Sequence, residues 1–323
     1  MNLNSIIKME KKRNHQFTPI ISIKSLTKIY DNVSVVNNLN LDIYNSCFAL
    51  LGPNGAGKTT TILMLLGLIK PTKGTALIFG KDIINNTVAI RENSGYLPED
   101  LGFNSKITGR EHLELIFRLR TEFYNVKEPI ESLMKWCGLN HNFWDKKIKT
   151  YSQGMRQRLG LAIAFAGNPK IVFLDEPLSN IDPIGRVEII DKIKKKQREG
   201  ITIIISSHII LEVEKIIDSL AIIDNGILKV SDNILTLTNK LGFNEFEIFY
   251  CNKTVNSEEV QELDKILSKR KDLILEKPTL LSDRMIIKTN YPIEIVNILK
   301  NFNEFEIRPI SGTLDKIYKK IIA

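Results

Sequence analysis

One stretch restricts the fold more than any other: Gly52-Pro53-Asn54-Gly55-Ala56-Gly57-Lys58-Thr59-Thr60. Before it stands Cys47-Phe48-Ala49-Leu50-Leu51, an apolar run of strand length. After it comes Thr61-Ile62-Leu63-Met64-Leu65-Leu66, which reads as a helix. Strand, glycine-rich turn and helix are the context that a GxxxxGK[ST] phosphate-binding loop requires. The glycines let the backbone curl so that successive N–H groups converge into an anion nest. The helix behind them aims its positive dipole end at the same point. Lys58 can then reach β- and γ-phosphates, and the Thr59 hydroxyl can ligate Mg²⁺. All nine residues from Gly52 to Thr60 are therefore candidates for nucleotide binding. The plainer alternative, a glycine turn between a buried strand and a helix, is disfavoured by the spacing and by the flanking elements.

At 323 residues the chain can bury a sizeable core, in two domains. No apolar run reaches the 18 or so residues of a membrane span, and the N-terminus lacks the apolar stretch of a secretory signal. The cysteines, Cys47, Cys137 and Cys251, are scattered without a CxxC pair. That argues against a metal cluster or disulfide framework and for a reducing, cytosolic setting. The net charge of +8 is compatible with nucleic acid or an acidic membrane surface. Its densest cluster, Lys192, Lys194, Lys195, Lys196 and Arg198, instead falls near the end of an expected helix closed by Gly200, where cations suit the dipole. No aromatic residues are interleaved with it, so nucleic acid is not expected as a partner.

The periodicities predict an α/β fold. Ile20–Ile23 and Ser34–Ile43 alternate as strands, and Thr75–Phe79 is a further short strand. From about 105 to 166 the spacing turns helical, as in Leu113, Ile116, Phe117 and Arg120, or Ile130, Leu133, Met134 and Cys137. Ile171–Leu174 and Ile201–Ile205 are continuous apolar runs, as in strands buried on both faces of a mainly parallel sheet. Asp224-Asn225-Gly226 reads as a hairpin turn. The expected organisation is a basic lead-in over 1–19, a nucleotide-binding domain over 20–235 and a small α+β domain over 236–323. In that last part Phe246–Cys251, Arg284–Thr289 and Phe305–Ile310 read as strands, and Ile293–Phe302 and Leu314–Ile322 as helices.

Ligands of parallel sheets bind beyond the strand C-terminal ends. Thr59, Asp175, Glu176 and His208 each follow a strand end, so they can converge. Asp175-Glu176 after Ile171–Leu174 is a Walker B pattern, with Asp175 on Mg²⁺ and Glu176 as general base for the attacking water. With these motifs in order, residues 20 to 232 resemble the ATP-binding subunit of ABC transporters, which implies a P-loop NTPase core. The resemblance implies that Tyr30 stacks on adenine, although a core or surface tyrosine reads the same in sequence. Ser94-Gly95-Tyr96-Leu97-Pro98-Glu99 resembles the segment linking the nucleotide site to the membrane subunit. It carries Glu99 where the family usually has Gln, and Glu99 can still accept from the metal's water shell. Tyr151-Ser152-Gln153-Gly154-Met155 resembles the signature motif, departing at Tyr151, Gln153 and Met155. Ser152 and Gly154 are then expected to meet the γ-phosphate held by a second copy. Asp182 matches the D-loop aspartate at the subunit boundary, and His208 the switch histidine.

The resemblance thus implies a peripheral subunit on the cytoplasmic face of the membrane. Two copies, or one copy and a paralogue, would close on two ATP with Mg²⁺ and drive a separate transmembrane permease. Glu176, His208 and Lys58 would carry the hydrolysis. The substituted motifs resemble the branch that exports drugs, antibiotics, lipids or ions. Ser311–Tyr318 resembles that branch's closing helix. The domain over 236–323, which resembles a C-terminal extension of that branch, can serve regulation, dimerisation or packing. A soluble ABC ATPase acting on ribosomes or nucleic acid is the alternative, and a regulator that only binds ATP is a third reading.

Overall fold

The computed structural model describes residues 18–44, 47–119, 130–250, 254–255, 257–302 and 305–322. Most of the expected basic lead-in, together with Arg120 and Cys251, lies outside the described residues. The chain divides into two compact units, 1–208 with 221–229, and 209–220 with 230–323. The segment 209–220, which precedes the expected boundary, thus groups with the C-terminal residues.

The first unit opens with β1 (Ile21–Tyr30) and β2 (Val33–Ile43), followed by β3 (Cys47–Leu51) and α1 (Lys58–Leu65). Then come β4 (Lys73–Ile78), β5 (Lys81–Asp82), α2 (Thr87–Glu92) and β6 (Ser94–Leu97). The helical stretch holds α3 (Gly109–Leu119), α4 (Ile130–Trp136) and α5 (Gln153–Phe165). It is followed by β7 (Ile171–Asp175), α6 (Pro183–Arg198) and β8 (Thr202–Ser207). Next along the chain are α7 (Ile210–Val213), β9 (Ser219–Asp224) and β10 (Ile227–Asn233).

Two sheets result. An antiparallel one runs β2-β1-β4-β5, and a six-stranded one runs β10-β9-β3-β8-β7-β6. In the second, β3, β8, β7 and β6 are parallel. Every residue of β3, β7 and β8 is buried, which is why their sequences lack polar alternation. The core between the sheets draws on Ile21, Leu26 and Ile43 from one and Phe48, Phe173 and Ile204 from the other. In the helical stretch Leu113, Phe117, Leu133, Met134 and Cys137 are buried, on the spacing read from sequence. The lysine-rich run ends α6, with Lys195, Lys196 and Arg198 in its last turn and Gly200 at φ 95° beyond it. That is a solvated C-terminus whose charges suit the dipole.

The second unit contains α8 (Ile234–Lys240), β11 (Glu245–Tyr250), α9 (Glu258–Lys269) and β12 (Ile274–Leu280). It continues with β13 (Arg284–Thr289), α10 (Pro292–Leu299), β14 (Phe305–Pro309) and α11 (Thr313–Ile322). The sheet order is β12-β13-β11-β14, antiparallel throughout. From β11 onward this is the split β-α-β-β-α-β arrangement. Phe246, Ile248, Met285 and Ile287 of the sheet are buried, as are Val260, Leu263, Leu267 and Ile295 of the helices. The segment 209–220 is tied in by two charged residues. Glu214 accepts from the N–H groups of Gly312 and Leu314 at 2.8 Å each, at the start of α11. Arg308 donates to the Ile217 carbonyl at 2.8 Å and pairs with Glu306.

Candidate nucleotide site

The loop between β3 and α1 is shaped by close backbone approach. A Cβ on Gly52 would stand 2.1 Å from the Ile223 carbonyl oxygen. One on Gly57 would stand 2.5 Å from that of Val35, and Gly57 lies at φ 98°. Neither position has room for a side chain. The sheet order sets β3 beside β8, and β8 beside β7, so the loop, Asp175-Glu176 and His208 emerge at one sheet end.

Lys58 is buried. Its ammonium donates to the carbonyls of Gly52 at 2.8 Å and Pro53 at 3.1 Å, and lies 3.8 Å from Glu176 Oε1. Burial lowers its pKa, while Glu176, Asp175 and Glu99 pull it back up. The same Glu176 oxygen sits 2.9 Å from Nδ1 of His208, whose side chain is 41% exposed. Burial pushes the Glu176 carboxyl upward against the attraction of His208 and Lys58. The structure thus brings Lys58 and His208 each against Glu176. Asp175 is fully buried, and Glu99, although exposed, is close enough to act on Lys58. Thr59 and Thr60 are half-buried in the first turn of α1, and Pro53, Asn54 and Gly55 are exposed on the loop. Ala56 is buried, its carbonyl accepting from Gly226 N–H.

Glu176 has φ 49°, in the left-handed region. That conformation costs an L-residue roughly 1–2 kcal/mol. The surroundings fix it from both sides. Its carbonyl accepts from the Ser179 hydroxyl at 2.9 Å and from Gln157 Nε2 at 3.4 Å. Its N–H donates to the Ser206 hydroxyl at 3.1 Å. Gln157, buried on α5, and Ser206, buried on β8, were not read from sequence as site residues. Only the register of the sheet, which pairs Asp175 with Ser206, reveals the serine's position.

Four further expected residues have partners of their own. Ser152 caps α5, accepting from Met155 N–H at 3.2 Å. The space at Gly154 faces the Asn180 carbonyl, with 3.3 Å to an added Cβ. Asp182 caps α6, and the Gly185 N–H at 2.9 Å holds its carboxyl below the usual range. Tyr30, 43% exposed at the end of β1, carries Lys28 Nζ 4.7 Å from its ring centre. Its face is already engaged by a cation.

Residues 36–179 match the family model described as ABC transporter. The "Bacitracin transport ATP-binding protein BcrA" of Enterococcus faecalis is 38% identical over 232 residues, spanning 71% of this chain and 74% of that one. The chain belongs to the ABC transporter ATP-binding family. An uncharacterized ABC transporter ATP-binding protein of Bacillus subtilis (strain 168), YxlF, is 37% identical over 71% of this chain and 76% of its own. Among solved structures, an ATP-binding subunit of an ABC transporter superposes with TM-score 0.64 at 25% identity. That match covers 69% of this chain and 94% of the other. A bacterial ABC transporter cassette solved as a dimer shares the fold, with TM-score 0.61 at 23% identity over 66% and 98% of the two chains. As an ABC ATP-binding subunit, this chain binds and hydrolyses ATP as the motor of a transport complex. The relatives and solved structures named here align over 66–71% of the chain. Among the described residues, no helix is long and apolar enough to cross a membrane.

Proposed function

We propose that the chain drives an export complex from the cytoplasmic face of the membrane, with the Lys58–Glu176–His208 cluster as its hydrolytic centre. The observation that carries this reading is one buried carboxylate, Glu176, contacted by both a lysine and a histidine at the mouth of a phosphate loop. Glu176 withdraws the proton of the attacking water, and His208 orients that carboxylate and meets the γ-phosphate. Lys58 leaves the Gly52 and Pro53 carbonyls to take up phosphate oxygens, so the loop's own acceptors hold its cation ready. The backbone N–H groups from Gly52 to Thr60 cradle the phosphates, and Tyr30 supplies the adenine platform once Lys28 swings aside.

The donor set suits Mg²⁺, a hard cation that takes oxygen ligands. Asp175 Oδ2 is buried without a hydrogen-bond partner. Thr59, Asp175 and Glu99 are its proposed holders. Held there, Mg²⁺ would supply electrostatic stabilisation of the charge that develops on the transferring phosphoryl group. Ser152 and Gly154 of a second copy complete each site, with Asp182 at the boundary, and a transmembrane permease receives the motion. Two relatives are named for bacitracin transport, which supports a place in the branch that exports drugs, antibiotics, lipids or ions. Steady-state phosphate release from Glu176→Gln tests the assignment. Turnover should fall roughly 10²–10⁴-fold, and unchanged turnover removes Glu176 from the role.

A further inference from the structure

One buried hydroxyl touches both acids of the proposed centre. Ser206 is fully buried on β8, where the parallel register pairs it with Asp175 on one side and Leu50 on the other. Its Oγ donates to Asp175 Oδ1 and accepts the Glu176 N–H at 3.1 Å. A serine hydroxyl has a single proton to give. Spending it on Oδ1 leaves Oδ2 as the Asp175 oxygen without a partner. The same Oγ helps fix the backbone of Glu176, whose φ of 49° needs external support.

We infer that Ser206 is a positioning residue: its hydroxyl turns the Asp175 carboxylate so that Oδ2 faces the metal, and holds Glu176 at the adjoining step. This rests on the reading of Asp175 as a holder of Mg²⁺. Alanine at 206 would leave Asp175 Oδ1 without its donor and free the carboxylate to rotate. Glu176 N–H would keep only the weaker bond to the Ser206 carbonyl, at 3.3 Å. Partners that orient a metal-holding side chain are worth about 10–100-fold in metal affinity. Ser207, next along the strand, points to the other face by the period of two and does not substitute.

The test uses the full-length protein and the non-hydrolysable probe adenylyl imidodiphosphate, titrated calorimetrically in EDTA and across a Mg²⁺ series. For Ser206→Ala the Mg²⁺ concentration giving half-maximal tightening should rise about tenfold or more. Affinity in EDTA should stay within about twofold of wild type, a separation that general loosening of the strand would not produce. A Mg²⁺ midpoint within about twofold of wild type overturns the proposal. Ser206→Cys carries the same comparison if the alanine form does not fold. Its thiol is a weak donor, so the midpoint should still rise, and an unmoved one overturns the proposal equally. Asp175→Asn, measured alongside, separates the two levels. If it leaves the Mg²⁺ dependence intact, the metal assignment fails and the proposal with it. If it abolishes the dependence while Ser206→Ala shifts nothing, only the role of Ser206 falls.

Discussion

Asp175 and Glu214 are both carboxylates buried in the fold, one in each unit, and their surroundings differ. Both oxygens of Glu214 are used, each accepting a backbone N–H at the start of α11. Asp175 has one oxygen engaged by Ser206 and one without a partner. The cations differ in the same way. Arg308 in the second unit has Glu306 and the Ile217 carbonyl around its guanidinium. Lys58 in the first leans on loop carbonyls, with the nearest carboxylate oxygen at 3.8 Å and its pKa lowered by burial. Buried charge that is fully matched holds a fold together. Buried charge left partly unmatched is what a site keeps for its ligand.

That contrast can be broken by experiment. Glu176→Gln, nearly isosteric, should cost about 10²–10⁴-fold in turnover and leave the melting temperature close to wild type. A matching loss of stability would make Glu176 structural, like Glu214. Glu214→Ala should do the reverse. Removing the acceptor strands two N–H groups and costs roughly 1–3 kcal/mol in urea unfolding, with ATP turnover per folded molecule unchanged. A drop in turnover without unfolding would erase the division of labour. A subtler probe is pH. Burial raises the Glu176 pKa and His208 is the leading opposing influence. Activity that needs the carboxylate ionised falls as pH drops through that pKa. In His208→Ala the residual activity should lose its acid limb at higher pH than wild type, because the pKa-lowering partner is gone. An unmoved limb would uncouple the pair. The smallest effect belongs to Lys319→Ala, which removes an exposed i,i+4 pair with Asp315 on α11. Stability should change by less than about 0.5 kcal/mol, setting the floor for charges that are neither buried nor functional.

The proposed phosphate loop, the Asp175-Glu176 pair and His208 stand out in the sequence because the chemistry proposed for them needs particular residues at fixed spacing after apolar runs. Their contact does not. It depends on β8 lying between β3 and β7, an order that no local pattern encodes. Gln157 and Ser206 were silent for the same reason, since a buried polar residue declares its partner only through packing. In the second unit β12 went unread because Glu276-Lys277-Pro278 breaks its alternation. As the outer strand of its sheet it tolerates a proline that a central strand would not. The helix α9 was equally missed, although Val260, Leu263 and Leu267 carry helical spacing. The membership of 209–220 in the second unit rests on Glu214 and Arg308, two long-range ties invisible along the chain.

The strand order also has a consequence during synthesis. β3 leaves the ribosome well before β8 and β9, its neighbours in the sheet. From Leu51 to the start of β8 is about 150 residues, which at typical elongation speeds is roughly 8–30 s of translation. Throughout that interval Cys47-Phe48-Ala49-Leu50-Leu51, every residue of which is buried in the finished sheet, waits without its partners. The nascent chain should therefore be most prone to aggregate, and most dependent on chaperones, in the window before β8 emerges.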